Sequence, residues 1–91
     1  MKIAWDINKA AANQAKHGVS FEEAEEVFVD SFAIEIYDEG HSDVETRFKL
    51  LGMSSQQVLL VIYTEREDDV IRIISARKAT TNERKQYKSQ S

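Results

Sequence analysis

VLLVIYTEREDDVIRIISAR, residues 58–77, is the stretch on which the fold turns. Its first seven residues, VLLVIYT, carry no charge and are rich in β-formers, which is the composition of a strand at the middle of a sheet, covered more completely than its neighbours. The acidic EREDD at 65–69 then reads as a hairpin loop, and VIRIISAR as the last strand returning beside the first. On a regular strand Ile71, Ile73, Ser75 and Arg77 point one way and Arg72, Ile74 and Ala76 the other, so Arg72 and Arg77 are expected on opposite faces.

Upstream, period-two alternation marks two more strands. Phe32, Ile34 and Ile36 alternate with Ala33, Glu35 and Tyr37, and Arg47 and Lys49 with Phe48 and Leu50; residues 52–57 turn the chain. Earlier still, the apolar positions Phe21, Ala24, Val27 and Phe28 recur at helical spacing, leaving Glu22, Glu25 and Glu26 in water. Ser20 and Glu23 predict a capping box at the start of that helix. A preceding helix is expected from an Asp6 N-cap to about His17, stopped by Gly18, with residues 2–5 as a short first strand. Downstream, Thr80 and Glu83 form another capping box before a short helix that carries Arg84, Tyr87 and Lys88 on one side.

The predicted order is β-α-α-β-β-β-β-α, an α+β domain. Consecutive short strands favour an antiparallel meander with helices on one face and the opposite face exposed, because parallel crossovers need about a dozen residues each. The 91 residues suffice for one domain, residues 1–91. The longest apolar run, residues 58–63, falls far short of the roughly 20 residues a membrane span needs. Asp6 interrupts any signal-peptide core, and cysteine is absent, so a cytoplasmic address without a membrane association is expected. Charge is unevenly placed. The net value is −4, yet residues 72–88 hold six cations (Arg72, Arg77, Lys78, Arg84, Lys85, Lys88) against Glu83 alone, leaving −9 on the rest. Such a split fits either a basic surface for an anionic ligand or a solvated polar helix.

The chain closely resembles the BrnT family, the toxins of bacterial type II toxin–antitoxin systems. The residues that carry the resemblance are WD at Trp5 and Asp6, N..KHGVSFEEA..VF.D from Asn13 to Asp30, H...E.R at His41, Glu45 and Arg47, T.R at Thr64 and Arg66, and RIISAR.A...ER..Y from Arg72 to Tyr87. They span nearly the whole chain. The resemblance implies a small RelE-like fold and a ribonuclease that works without a metal ion or other cofactor. It also implies a BrnA-like antitoxin partner, which neutralises the toxin in a complex and supplies the operator-DNA binding.

RNA carries its own nucleophile, the 2′-hydroxyl, so cleavage needs a base for its proton, an acid for the departing 5′-oxygen and cations around the phosphorane. His17 and His41 stand in no metal-binding spacing. Arg77, at the end of the last strand, and Arg84, one turn into the following helix, are expected to converge at one corner, where guanidinium forks suit phosphate oxygens. The alternative is that each pairs with an acid such as Glu83 or Asp69. Tyr87, on the same helix face as Arg84, has two readings: stacking on a base or protonating the leaving oxygen, or capping the core edge. His17 is a candidate base or a helix-end cap, and Lys16 a phosphate contact or a solvated side chain. Arg47, Arg66 and Lys78 complete the candidate RNA contacts, with an ion pair to Glu45 and a local or antitoxin contact as the alternatives for Arg47 and Arg66. Trp5, a lone Trp, fits the core. Two rival functions use the same residues: a toxin relic that only binds its antitoxin, and an RNA-binding module without chemistry.

Overall fold

The structure, a computed structural model, describes residues 1–38 and 46–90. Its elements follow the expected order: β1 (Lys2–Trp5), α1 (Ile7–His17), α2 (Phe21–Glu26) running on into a 3-10 turn (Val27–Val29), β2 (Ile34–Asp38), β3 (Arg47–Met53), β4 (Val58–Arg66), a second 3-10 turn (Glu67–Asp69), β5 (Val70–Lys78) and α3 (Thr81–Lys88). The end signals work locally. Asp6 accepts from the N–H groups of Asn8 and Lys9, Gly18 closes α1 at φ +70°, and the Thr80–Glu83 capping box is complete. At α2 the box is only half made. Ser20 accepts from the Glu23 N–H, but the Glu23 carboxylate turns away to Ser54 Oγ (2.6 Å) and Gln57 Nε2 (3.2 Å).

The five strands lie in the order β1-β5-β4-β3-β2. The meander β2 to β5 is antiparallel throughout, and β1 adds to its edge by pairing parallel with β5, Trp5 opposite Ile73. Propensity marks β1 as a strand; its neighbour is set by tertiary packing. One face carries α1 and α2 over a core of Val19, Phe21, Ala24, Val27, Leu59, Val61, Tyr63, Ile73 and Ala76, with Trp5 packed at its margin edge-on to Phe21. On the opposite face, expected to be bare, α3 covers one end: Tyr87 and Ala79 bury Leu51, Val58 and Leu60. β4 is therefore buried on both faces where it lies under α3, which explains its unbroken apolar run.

Four local expectations are corrected. Phe32 lies outside β2 in a turn and is 53% exposed. Gly52 belongs to β3, paired with Leu59, rather than to a turn; a Cβ there would come within 2.7 Å of Val27 Cγ1, so the glycine admits the close approach of the 3-10 turn. The third correction moves a functional residue. Ile62 pairs with Ser75 but Tyr63 pairs with Ile73, so Ile74 is an extra residue, a β-bulge. The bulge lets Ile73 and Ala76, three apart, face the same core. It also places Arg72, opposite Thr64, and Arg77, opposite Leu60, on the same face of the sheet. The hairpin loop shortens to Glu67–Asp69, with Asp68 and Asp69 at positive φ.

Candidate nucleic-acid interface

The sheet face opposite α1 and α2 has α3 over one end and an uncovered remainder. Register sets the uncovered rows: Arg72, Thr64 and Arg47 in one, Ser75, Ile62, Lys49 and Ile36 in the next. Arg77 begins the third row, whose Leu60, Leu51 and Ile34 lie under α3. Arg72 is loosely tied, 3.9 Å from Asp6. Between Arg72 and Arg47, the buried Thr64 hydroxyl has no hydrogen-bond partner among the described residues. Lys49 and Arg72 are members of this face that the sequence reading did not single out as RNA contacts. Their alternation carries the signal, but on a regular strand Arg72 falls on the side opposite Arg77, and only the bulge brings the two together.

Arg77 and Arg84 do converge on the turn between β5 and α3, and both are engaged there. Arg77 forms a fork with Glu83, Nη1–Oε1 2.9 Å and Nη2–Oε2 3.0 Å, and Nη1 also reaches the Lys78 carbonyl. That fork is the first cause holding the Glu83 carboxyl below its ordinary value, although partial burial opposes it. Arg84 donates to the Ala79 carbonyl (2.9 Å) and to Thr81 Oγ1 (3.1 Å). Tyr87 turns inward. Its ring is 8% exposed and its hydroxyl donates to Asp30 Oδ2 at 2.6 Å. The bond to Asp30, aided by burial, pushes the tyrosine up to about 12. Burial acts against ionisation of Asp30, but bonds from Tyr87 and the Met53 and Phe32 N–H groups outweigh it and hold its carboxyl below the ordinary 3.8.

Lys16 and His17 lie apart from this corner, at the C-terminal end of α1. With Lys9, Ala12 and Asn13 they line a groove of about 240 Å³ whose other wall is Ile74 and Ser75. Asn13 builds that groove. β1 ends opposite Ile73, so beyond it the outer edge of β5 lacks a strand, and the buried Asn13 amide takes its place: Nδ2 donates to the Ala76 carbonyl (2.8 Å) and the Val19 carbonyl (3.0 Å), and Oδ1 accepts from the Ala76 N–H. Lys78, opposite Leu59, belongs by register to the other face, and Arg66 sits at the far end of β4 beside Glu65 and Asp69. His41 and Glu45 lie outside the described residues. Among the described residues no group of three His, Cys, Asp or Glu side chains could hold a metal ion, and no helix is long and apolar enough to cross a membrane.

A family model for BrnT, the ribonuclease toxin of type II toxin–antitoxin systems, matches residues 5–83. Among solved structures, the crystal structure of the Brucella abortus ribonuclease toxin BrnT is similar with a TM-score of 0.66 at 26% identity, covering 89% of this chain and 99% of that one. No curated protein matches the sequence. The α+β sheet with its three helices, the basic β5–α3 segment and a family match over most of the chain agree: the chain belongs to the BrnT family of type II toxin–antitoxin toxins.

Proposed function

We propose that this chain is a metal-independent endoribonuclease toxin that cuts RNA by attack of the 2′-hydroxyl on the adjacent phosphorus. One observation carries the reading: in a chain of net charge −4, the bulge at Ile74 gathers Arg72 and Arg77 onto the sheet face that also bears Arg47 and Lys49. Such a face supplies cations for phosphates, and Ile62 and Ile36 supply apolar surface against which bases can pack. Arg77 and Arg84 form the wall of the phosphate site at the β5–α3 turn. Lys16, Arg47 and Arg66 guide the strand, and Lys78, which register puts on the opposite face, touches it only where it passes the β5–α3 turn. His17, at the C-terminal end of α1, is the base in this reading. The attack forms the P–O2′ bond and breaks the P–O5′ bond; the 2′-hydroxyl proton leaves to the base and the 5′-oxygen receives one, giving a 2′,3′-cyclic phosphate and a 5′-hydroxyl. Tyr87 reaches that oxygen as an acid only if α3 lifts. In the cell, a BrnA-like antitoxin holds the toxin in a cytoplasmic complex, and operator DNA is bound through the antitoxin.

A second reading has its own support. Both terminal nitrogens of Arg77 are engaged by Glu83, and the Tyr87 hydroxyl by Asp30, so the corner also works as a clasp that docks α3, as in a toxin that binds its antitoxin or RNA without cutting. Incubation of the purified chain with a defined RNA in excess EDTA, beside the Arg77→Ala, Arg84→Ala variant, separates the two. Wild-type-only cleavage that leaves 2′,3′-cyclic ends supports the nuclease, provided circular dichroism shows both proteins folded. Absence of cleavage by either, on free RNA and on ribosomes, sinks it.

A further inference from the structure

Lys9, Lys16 and His17 occupy positions i, i+7 and i+8 of α1 and so share the helix face turned to the β5 bulge. Among the described residues the groove they line contains no carboxylate, although acids outnumber Lys and Arg sixteen to twelve in the chain. Among the described residues no salt bridge or hydrogen bond engages the side chain of any of the three; the Lys9 backbone N–H caps onto Asp6, and its ammonium lies near enough to favour that carboxylate. The negative end of the helix dipole accounts for basic residues in the last turn, Lys16 and His17, but not for Lys9 two turns earlier. The floor is rigid, because Asn13 satisfies both its amide and Ala76 there. The wall includes Ser75, two residues before Arg77, whose side chain belongs by register to the uncovered sheet face. At about 240 Å³ the groove is smaller than a typical pocket for a drug-sized ligand and suits a phosphate with part of its sugar.

We infer that this groove is a phosphodiester-binding slot in which Lys9 and Lys16, beside His17 and Ser75, hold the backbone of single-stranded RNA as it leaves the sheet face. The inference rests on the ribonuclease reading for its choice of ligand, and adds Lys9 to the surface. Its ligand is bound through charge, so it is insensitive to base sequence.

The test uses a short RNA with 2′-O-methyl riboses, which lacks the nucleophile and binds without being cut. Fluorescence anisotropy across a salt series compares the wild type with Lys9→Gln, Lys16→Gln, and with a charge-matched control, Lys85→Gln, Lys88→Gln, on α3. Each lost phosphate contact lowers the salt slope by about 0.7 on a single strand, so the groove variant is expected to lose about 1.4 and to bind roughly tenfold more weakly at low salt. The control is expected to change far less. Equal losses in both variants mean general charge attraction and overturn the slot, as does an unchanged slope in the groove variant. In parallel, inorganic phosphate titrated into ¹⁵N-labelled protein is expected to shift the His17 ring and the Ser75 amide saturably in the wild type alone. Phosphate shifts without any change in RNA slope make this a small-anion site and also overturn the proposal. Cleavage of unmodified RNA is measured separately. Groove binding without cleavage retains the slot and removes the nuclease reading, and cleavage with an unaltered slope does the reverse.

Discussion

At the scale of single residues, Asn13 and Tyr87 show polar atoms replacing backbone pairing and fixing a helix. Asn13 makes three hydrogen bonds while 7% exposed, completing the β5 edge where β1 stops. Asn13→Ala leaves the Ala76 N–H and two carbonyls without partners, so a loss of roughly 2–4 kcal/mol is expected in urea unfolding. Asn13→Asp keeps an acceptor and loses both donors; it should rescue little, and a wild-type midpoint for it would refute the amide bonds to Val19 and Ala76. For Tyr87, the inward hydroxyl makes a different forecast from the outward one. Tyr87→Phe removes a bond to a charged acceptor and is expected to cost about 1.5–3 kcal/mol. RNA cleavage per folded molecule is expected to persist. A cleavage rate down a hundredfold with the fold intact would assign the hydroxyl to the leaving oxygen instead.

At the scale of elements, two glycines separate backbone strain from crowding. Gly18 has φ +70° and open space around a would-be Cβ, so Gly18→Ala should cost about 1–2 kcal/mol from conformation alone. Gly52→Ala drives a methyl to 2.7 Å from Val27 Cγ1 and 3.0 Å from Ala33 Cβ, an overpacking cost of about 1–3 kcal/mol. Combining each with Val27→Ala in a double-mutant cycle should show coupling for Gly52 and none for Gly18; equal coupling would refute the distinction. Gly18 was legible because a C-terminal glycine is a local signal. Gly52 was not, since the 3-10 turn that approaches it lies more than twenty residues earlier in the chain. The caps, the helices and the β2–β5 meander were readable for the same local reason, whereas the parallel β1–β5 pair and the placement of α3 depend on long-range packing. The bulge was hidden because Ile73 and Ile74 are both apolar, so VIRIISAR offers no break in its pattern. The candidate site inherited that limit: the convergence of Arg77 and Arg84 followed from their spacing, while the Asn13 groove and the shared face of Arg72 and Arg77 needed the register.

At the scale of the whole molecule, α3 is attached differently from everything else. α1 and α2 are held by a continuous apolar core, whereas α3 depends on a smaller cluster, the Arg77–Glu83 fork and the Tyr87–Asp30 bond. Both carboxyls sit below their ordinary values of 4.5 and 3.8 in the folded state, so the native protein binds fewer protons than the unfolded chain in that range. Their stabilisation is therefore present above those values and is lost as pH falls through the depressed ones. At the alkaline end the sign reverses: Tyr87, raised from 10.0 to about 12, contributes fully below pH 10 and loses its contribution as pH rises toward 12. Acidification should therefore release α3 before the main core opens, as a cooperative unit of low stability. Two probes resolve the order, since Trp5 packs against Phe21 on the α1–α2 side while Tyr87 lies under α3. The Tyr87 ring resonances are expected to lose their native positions at a higher pH than that at which Trp5 fluorescence changes, and coincident transitions would show that α3 is part of one cooperative unit. An early release would also free Arg77 from Glu83 while carrying Arg84 away, so RNA affinity per folded molecule over the interval in which the Tyr87 signals move should rise if Arg77 is the main phosphate contact and fall if Arg84 is.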